Sequence, residues 1–458
     1  MLHYRMKQAA LEKLLRFTKQ FIKLRTLGHL WNALKKLHYA DIAALIENLN
    51  DQERSIIIQL FLEREPEMDR FAEIVSEIRP EIAIGILSKL EIDQIVVILE
   101  ELSSDDASSL IPFFEEELQM EILKKMKKEE SEVIQEQLAY PEESAGRIMS
   151  TDFLALDEST SAGDAISAIQ LASEEVEVPF YLYVIDEDER LKGVVSLKQL
   201  ILVNPKMKLK EIMNSELYKV DAFTDQEEVA AVVANYNLLA IPVTDETDKL
   251  VGVVTVDDVI DIIQDEATED IYKLAGMTQD YSIDLGTGKS IKKRLPWLFM
   301  SLLTTSLSAI VVYMFQGTIE QFVLLAVLMH IVPALGGIVG NQTVAIMVRE
   351  IVIGNLEWKR SKKILSKEVI VSLSSGIAIA VVSGFLTSII YNKWIVGVLF
   401  GSAIILNLFL AALMGTLVPL ALKRLKFDPA LASGMIVTML TDVFGLLCFL
   451  GLATIFML

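Results

Sequence analysis

The stretch that decides the fold is Asp428-Pro-Ala-Leu-Ala-Ser-Gly-Met-Ile-Val-Thr-Met-Leu-Thr-Asp442-Val-Phe-Gly445. Asp442 is the only charged residue between Asp428 and Leu458, and the others are apolar, small or hydroxylic. A carboxylate at mid-membrane depth costs about 2.5–3.5 kcal/mol, so it should face a cavity or a bound cation. Small residues leave carbonyls and hydroxyls facing a narrow space. The stretch therefore predicts a cation path with Asp442 at its narrow point. The alternative is an aspartate hydrogen-bonded to neighbouring helices.

Residues 291–458 have the pattern of a membrane domain. Apolar runs predict five spanning helices, at about 295–315, 321–348, 369–391, 394–422 and 429–457. Lysines and arginines cluster before the first helix and in the loops after the second and fourth, whereas the other loops carry almost none. This asymmetry predicts a multi-pass protein of the cell (inner) membrane, with its amino-terminal domains in the cytoplasm and its C-terminus outside.

The second predicted helix contains Pro333-Ala-Leu-Gly-Gly-Ile-Val-Gly-Asn-Gln342. Proline and glycines free backbone carbonyls, which is tolerated in a bilayer where they face protein or a water-filled cavity. A glycine-packed helix contact is the alternative. The residues predicted to line a pore are Gly336, Gly337, Gly340, Asn341 and Gln342.

Charge is segregated along the chain. Residues 37–290 carry 20 Lys/Arg and 56 Asp/Glu, a net charge of −36. Such a block repels phosphates and attracts cations, which excludes nucleic-acid binding. The single cysteine, Cys448, allows no internal disulfide, which is typical of a cytosolic soluble part. The sequence shows no nucleophile–base pair and no P-loop, so it favours a protein that is not an enzyme.

The amino-terminal third is predicted to be helical. Residues 1–36 have the pattern of a basic amphipathic arm, which could lie on anionic lipid or pack on the acidic domain that follows. Residues 37–140 contain short amphipathic segments separated by polar breaks, and several begin with Asp, Ser or Pro followed by acidic residues. This repetition predicts an all-α superhelical domain.

Residues 141–203 and 204–263 are predicted to be two copies of one α/β unit. Leu191-Lys-Gly-Val-Val-Ser196 in the first copy matches Leu250-Val-Gly-Val-Val-Thr255 in the second. The order of strands and helices is that of a tandem CBS pair. The stretch 252–258 resembles the nucleotide-binding signature of such domains and makes Gly252, Thr255 and Asp258 candidates for binding a nucleotide such as ATP. Alternatively, these residues only close the strand–helix junction.

An acidic helix is predicted from Asp257 to about Ala275, and its last part together with the linker, residues 264–290, joins the second copy to the membrane domain. Like charges four residues apart destabilise a helix by roughly 0.2–0.5 kcal/mol per pair, so divalent ions or a basic partner should lie opposite. A solvated acidic face is the alternative. The candidate regulatory metal ligands on this helix are Asp257, Asp258, Asp261, Asp265, Glu266, Glu269 and Asp270.

Together these segments resemble the MgtE family of magnesium channels over nearly the whole chain, apart from residues 1–36. Leu138-Ala-Tyr-Pro-Glu-Glu-Ser-Ala-Gly-Arg-Ile-Met149 resembles the family's junction between helical and CBS domains, and the stretch around Asp442 resembles its pore segment. The resemblance implies a homodimer in membrane lipid with one pore between subunits, and an acidic plug helix. It also implies Asp442 as pore carboxylate, closure by bound Mg²⁺, and Asp105 and Asp106 as further regulatory candidates. The other candidate pore ligands are Thr438, Thr441, Gly434 and Asp428.

Two positions depart from the family pattern. Ile338 replaces the asparagine of Gly-Gly-Asn-x-Gly-x-Gln, and Met435 stands where a proline is common. Together, the residues and the resemblance predict passive Mg²⁺ uptake through a channel that cytosolic Mg²⁺ closes. The alternatives are a channel for Co²⁺ or Mn²⁺, a non-conducting membrane sensor built on the CBS pair, and a transporter coupled to sodium or protons.

Overall fold

The chain is mostly helical in a computed structural model. The structure describes residues 2–64, 68–172, 181–277, 287–352, 358–430 and 433–458. The chain divides into two compact units, Met1–Ile262 and Ile263–Leu458. The predicted fold class is confirmed, because a helical array, two α/β repeats and five long apolar helices follow one another along the chain.

Among the described residues, the first unit begins with ten helices that share one apolar core. They are α1 (Leu2–Lys23), α2 (Leu27–Leu34), α3 (Tyr39–Glu47), α4 (Asp51–Arg64), α5 (Asp69–Ser76), α6 (Pro80–Leu87), α7 (Ile92–Glu100), α8 (Ser104–Leu110), α9 (Glu116–Lys125) and α10 (Lys128–Ala139), with a 3-10 turn, Ile111–Phe113, after α8. Most are too short to be stable alone in water. Their stability comes from packing apolar side chains into one common core, where Ile46, Phe61 and Leu87 are fully buried.

The basic arm forms α1 and α2 rather than a single helix. The chain turns between them, where Arg25 adopts a left-handed conformation with φ 54°. Leu14 and Leu15 pack on the core of the helical domain, and Lys19 Nζ lies 3.5 Å from a Glu53 carboxylate oxygen. Of the two alternatives for the arm, the structure therefore supports packing on the domain that follows.

The rest of the first unit contains two sheets of three strands. Its elements are α11 (Ala145–Ile148), β1 (Ala155–Asp157), α12 (Ala162–Ala172), β2 (Tyr181–Ile185), β3 (Leu191–Ser196), α13 (Leu197–Leu202), α14 (Leu209–Ile212), β4 (Val220–Asp221), α15 (Gln226–Tyr236), β5 (Ala240–Thr244) and β6 (Leu250–Thr255). In each sheet the first strand is parallel to the second, and the second is antiparallel to the third. This shared topology agrees with the repeat seen in the sequence.

The two α/β copies exchange one methionine each. Met149, at the start of the first copy, packs on the second sheet, where a Cβ added to Gly252 would lie 2.5 Å from its Sδ. Met213, at the start of the second copy, packs in the same way on Gly193 of the first sheet, at 2.6 Å. Glycine is favoured at both positions because a side chain there would collide with the methionine unless the methionine moved. Each copy thus completes the packing of the other.

The helix α16 (Val256–Leu274) crosses the boundary between the units, and the remaining helices belong to the second unit. These are α17 (Thr287–Met314), α18 (Gln316–Gln321), α19 (Leu324–Leu328), α20 (Ile331–Val352), α21 (Trp358–Tyr391), α22 (Trp394–Arg424) and α23 (Ser433–Met457). The described residues contain five candidate membrane spans, as predicted.

The bounds of the first three spans differ most from the prediction, and the third begins at Arg360, nine residues before the predicted start. The first span begins at Thr287, eight residues before the predicted start. The second begins at Leu324 and is interrupted between α19 and α20. Pro333 lies in the first turn of α20, where its missing N–H costs little. The prediction of one continuous second helix was therefore wrong, because proline is favoured in the first turn of a helix and so indicates a new helix start.

Helices α20 and α22 approach closely through glycines. A Cβ added to Gly415 would lie 2.8 Å from the Gly340 carbonyl oxygen and 2.7 Å from the Thr343 Cβ. Real Cβ atoms do not come this close to backbone, so one helix would have to move. In contrast, a Cβ added to Gly376 of α21 would meet Leu408 Cδ1 at 3.4 Å, an ordinary contact.

We expect Gly415→Ala to destabilise the membrane domain by about 1–3 kcal/mol, the usual cost of overpacking. Gly376→Ala is the matched control and should be neutral or slightly stabilising, because alanine favours a helix over glycine by roughly 1 kcal/mol. The measurement is the fraction of detergent-solubilised protein that stays monodisperse after heating. Equal melting temperatures for the two variants would contradict the close approach at Gly415.

Candidate ion-binding cavity

A cavity of about 460 Å³ lies in the second unit between the end of α16 and the helices α17, α20 and α23. Four of the predicted pore residues line it: Asp442, Thr438 and Gly434 from α23, and Asn341 from α20. The Asn341 side-chain amide donates to Thr438 Oγ1 at 3.2 Å. The structure therefore brings a carboxylate, an amide and a hydroxyl together around one space.

The Asp442 carboxylate is half-buried at this cavity. Within the part of the chain that the structure describes, no side chain donates a hydrogen bond to it and no cation pairs with it. A carboxylate removed from bulk water without a partner is costly. A cation in the cavity would supply the missing partner, which is the chemistry predicted for this residue.

Two predicted residues of α23 and its approach lie outside the cavity wall. Thr441 is fully buried, and its hydroxyl donates to the Thr438 carbonyl at 2.9 Å. Asp428 accepts a hydrogen bond from the Ala430 N–H at 2.7 Å and forms an ion pair with Lys273. A direct contact of Thr441 or Asp428 with a pore ion is thus not seen in this arrangement, and their roles stay predictions.

The glycines of α20 face protein rather than open space. A Cβ added to Gly336 would lie 2.2 Å from Asn407 Nδ2, and one added to Gly340 would lie 2.5 Å from Val437 Cγ1. A Cβ added to Gly337 would lie 3.9 Å from the Thr438 methyl group. Gln342 is exposed. The contacts support the alternative of a glycine-packed helix contact at Gly336 and Gly340.

The helix α17 contributes hydroxyls that the sequence analysis missed. Ser301, Thr304 and Thr305 line the cavity together with Trp297. Their spacing of three and four residues places them on one face of a helix. That spacing was visible in the sequence and could have indicated a polar face toward the cavity.

The end of α16 closes one side of the cavity. Lys273 to Gly276 line it, and the Lys273 ammonium pairs with both Glu269 and Asp428. Burial lowers the Lys273 pKa, but the hydrogen bonds to Asp428 and Glu269 outweigh it, so the pKa is raised overall. Burial, and then the nearby Asp428 charge, raise the pKa of Asp270.

The acidic stripe lies on one continuous helix. Asp257, Asp261 and Asp265 are exposed, and Glu269 is buried. The remaining predicted ligands, Asp258, Glu266 and Asp270, are half-buried beside the stripe.

Among the described residues, no three His, Cys, Asp or Glu side chains converge as a metal site would require. Asp105 and Asp106 lie in the first turn of α8, where Asp105 is nearly buried. Metal binding at these positions stays a prediction and would need ligands from elsewhere, such as a second copy of the chain.

The candidate nucleotide residues bond to each other. The Thr255 hydroxyl donates to the Asp258 carboxylate, and Ser196 and Gln199 form the corresponding capping pair in the first copy. The Met149 side chain occupies the space beside Gly252 that a Cβ atom would need. The contacts support the alternative of residues that close the strand–helix junction, and nucleotide binding stays a prediction.

Comparison with known proteins gives consistent results for the helical domain, the α/β repeats and most of the membrane domain. Residues 329–452 match the MgtE divalent cation transporter model, residues 37–143 match the MgtE intracellular N domain, and residues 145–205 and 209–265 match CBS domains. The chain is 32% identical to the magnesium transporter MgtE of Thermus thermophilus over 429 residues, covering 92% of this chain and 93% of that protein. It is 30% identical to the magnesium transporter MgtE of Bacillus subtilis over 425 residues, covering 93% of each.

A solved structure resembles the soluble part. A crystal structure of the soluble part of a magnesium transporter superposes with a TM-score of 0.51 and 27% identity, covering 56% of this chain and 99% of that one. These similarities confirm the resemblance read from the sequence.

Proposed function

Because the chain belongs to the MgtE family of divalent cation transporters, we propose that it is a magnesium channel whose passive uptake is closed by cytosolic Mg²⁺. One observation carries the proposal: the Asp442 carboxylate lies without a partner among the described residues at a cavity whose lining includes several hydroxyls and an amide. The five candidate spans make the chain a multi-pass membrane protein.

The wall of the cavity suits a hydrated dication. Mg²⁺ prefers six oxygen ligands, loses water reluctantly and is usually held by one or two carboxylates. A cavity of about 460 Å³ has room for an ion that keeps its waters, each of which occupies about 30 Å³. Asp442 would supply charge, and Thr438, Asn341 and the α17 hydroxyls would bond to the water shell. In a homodimer, two copies of Asp442 would double the negative charge on the path.

Gating follows from linkage. The acidic block of residues 37–290 carries a net charge of −36 and repels itself in the absence of metal. Mg²⁺ bound to the α16 stripe would stabilise the closed form by RT ln(1 + [Mg²⁺]/Kd) per site, so several weak sites together respond sharply near their Kd. The basic loops favour a cytosolic location for these sites, where they would sense the transported ion.

The proposal predicts downhill Mg²⁺ uptake into proteoliposomes without ATP, suppressed by millimolar Mg²⁺ on the side of the acidic domains. The measurement is the fluorescence of a Mg²⁺ dye trapped inside, with Co²⁺ and Mn²⁺ added in competition because Ile338 is apolar. Folded protein that passes no Mg²⁺ under any condition would contradict the proposal and support the sensor alternative. Flux that requires a sodium or proton gradient would support a coupled transporter.

A further inference from the structure

Lys273 is the basic residue in the last turn of α16, and it stands at the wall of the Asp442 cavity. A positive charge there is unexpected on a path for cations, because it repels the ion that must pass. Its ammonium group does not point into open solvent, since it pairs with Glu269 on its own helix and with Asp428 in the approach to α23.

We propose that Lys273 is a positioning residue that closes the channel without metal. Its ammonium acts as a tethered cation that joins the end of the acidic helix to the start of α23. Ion passage then requires that the Lys273–Asp428 pair break and the end of α16 move away from the cavity. This inference rests on the proposed channel function. It adds to closure by Mg²⁺ an ion pair that favours the closed channel whether or not Mg²⁺ is bound.

Asp428 is a suitable anchor because the backbone holds it. One carboxylate oxygen accepts from the Ala430 N–H at 2.7 Å, and the other accepts from Lys273. Ala430 is itself fully buried. The pair therefore links the end of α16 to a carboxylate that a backbone hydrogen bond holds at the start of α23.

The carboxylates around Lys273 explain why the ammonium is needed. Glu269 is 5% exposed, and Asp270 lies close enough to Asp428 for their charges to repel. Without Lys273, the Asp270 charge would repel those of Glu269 and Asp428 with no ammonium to offset it, and separation of α16 from the start of α23 would relieve this repulsion.

The test measures access to the cavity rather than transport, so it stays informative if the channel proposal fails. A cysteine replaces Met435, which lines the cavity, in a Cys448→Ser background of the full chain in nanodiscs. An uncharged, water-soluble thiol reagent is used, because a charged one would respond to the lost lysine directly. In Mg²⁺-free buffer, Lys273→Met should raise the modification rate about tenfold, as for loss of a partly buried ion pair.

Three further variants make the result specific. Lys423→Met removes an exposed lysine at the end of α22 and should leave the rate unchanged. Asp428→Asn keeps an oxygen for the Ala430 N–H but loses the charge, so it should raise the rate as Lys273→Met does. The double variant should be no faster than either single one, because both remove the same pair.

Unchanged rates in Lys273→Met and Asp428→Asn would overturn the proposal. Equal increases in Lys273→Met and Lys423→Met would also overturn it, because net charge alone would then explain the effect. Additive increases in the double variant would show two independent effects and would equally exclude the pair as the closing contact. If Lys273→Met does not fold, Asp428→Asn carries the test, and an unchanged modification rate in that variant would overturn the proposal.

Discussion

Asp442→Asn is expected to abolish Mg²⁺ uptake and leave the protein folded. The substitution keeps the size of the side chain and its position at the cavity, and it removes only the charge. No side chain among the described residues hydrogen-bonds to this carboxylate, so the fold loses no contact when the charge is lost. The effect should therefore appear in transport rather than in stability.

The size of the effect follows from electrostatics. A dication about 5 Å from one carboxylate, with one water between them, gains roughly 7 kcal/mol at an effective dielectric constant of 20. Each 1.4 kcal/mol is a factor of ten, so loss of about two fifths of this term, roughly 2.8 kcal/mol, already lowers occupancy of the path about a hundredfold. Flux into proteoliposomes, measured with the trapped dye, should fall to the level of empty vesicles.

Thr454→Val is the matched control on the same helix. Thr454 bonds to Thr318 through their hydroxyl groups at 2.8 Å, at the other end of α23 from the cavity. This variant loses a polar group from the membrane but leaves Asp442 in place, so uptake should persist. Normal uptake by Asp442→Asn would contradict the ion path through this cavity, whatever the control shows.

Neutralising the exposed part of the acidic stripe should weaken inhibition by internal Mg²⁺. In the variant Asp261→Asn/Asp265→Asn, both residues lose their charge on an exposed face of α16, while the buried Glu269 keeps its pair with Lys273. If one Mg²⁺ site occupied at ten times its Kd is lost, closure loses about 1.4 kcal/mol. At that Mg²⁺ concentration the ratio of open to closed channels should then rise about tenfold, so more internal Mg²⁺ is needed to halve uptake.

A second double variant neutralises two carboxylates on another helix. It separates the effect of lost metal binding at the stripe from the effect of a changed net charge. Glu116→Gln/Glu117→Gln removes two exposed carboxylates from the first turn of α9 and should leave the inhibition curve in place. Dose–response curves for the two double variants, measured at one ionic strength, give the comparison. Curves that coincide with wild type for both would contradict metal binding at the stripe.

Much of the fold could be predicted because the sequence patterns that indicate it are long or occur twice. Five apolar runs are sufficient to indicate five spans, and matching strands at 191–196 and 250–255 indicate the α/β repeat. The position of Asp442 at a cavity could also be predicted, since a lone carboxylate in an apolar helix has few alternatives.

The side of a helix that faces the cavity was harder to predict. Thr438 and Thr441 are both small hydroxylic residues of α23, yet only Thr438 lines the cavity, while Thr441 packs toward Gly336. Which hydroxyl is available depends on packing against α20, and no local pattern encodes it. The role of Lys273 was equally hidden, because its partner Asp428 is 155 residues away in the chain.

The exchanged methionines of the α/β repeats have a consequence for how this protein could have evolved. Met149 completes the sheet that contains Gly252, and Met213 completes the sheet that contains Gly193. A gene rearrangement that removed one copy would leave the other with an open gap in its interior. A single copy is therefore not a complete packing unit, and we expect the two copies to be kept together when the gene is rearranged.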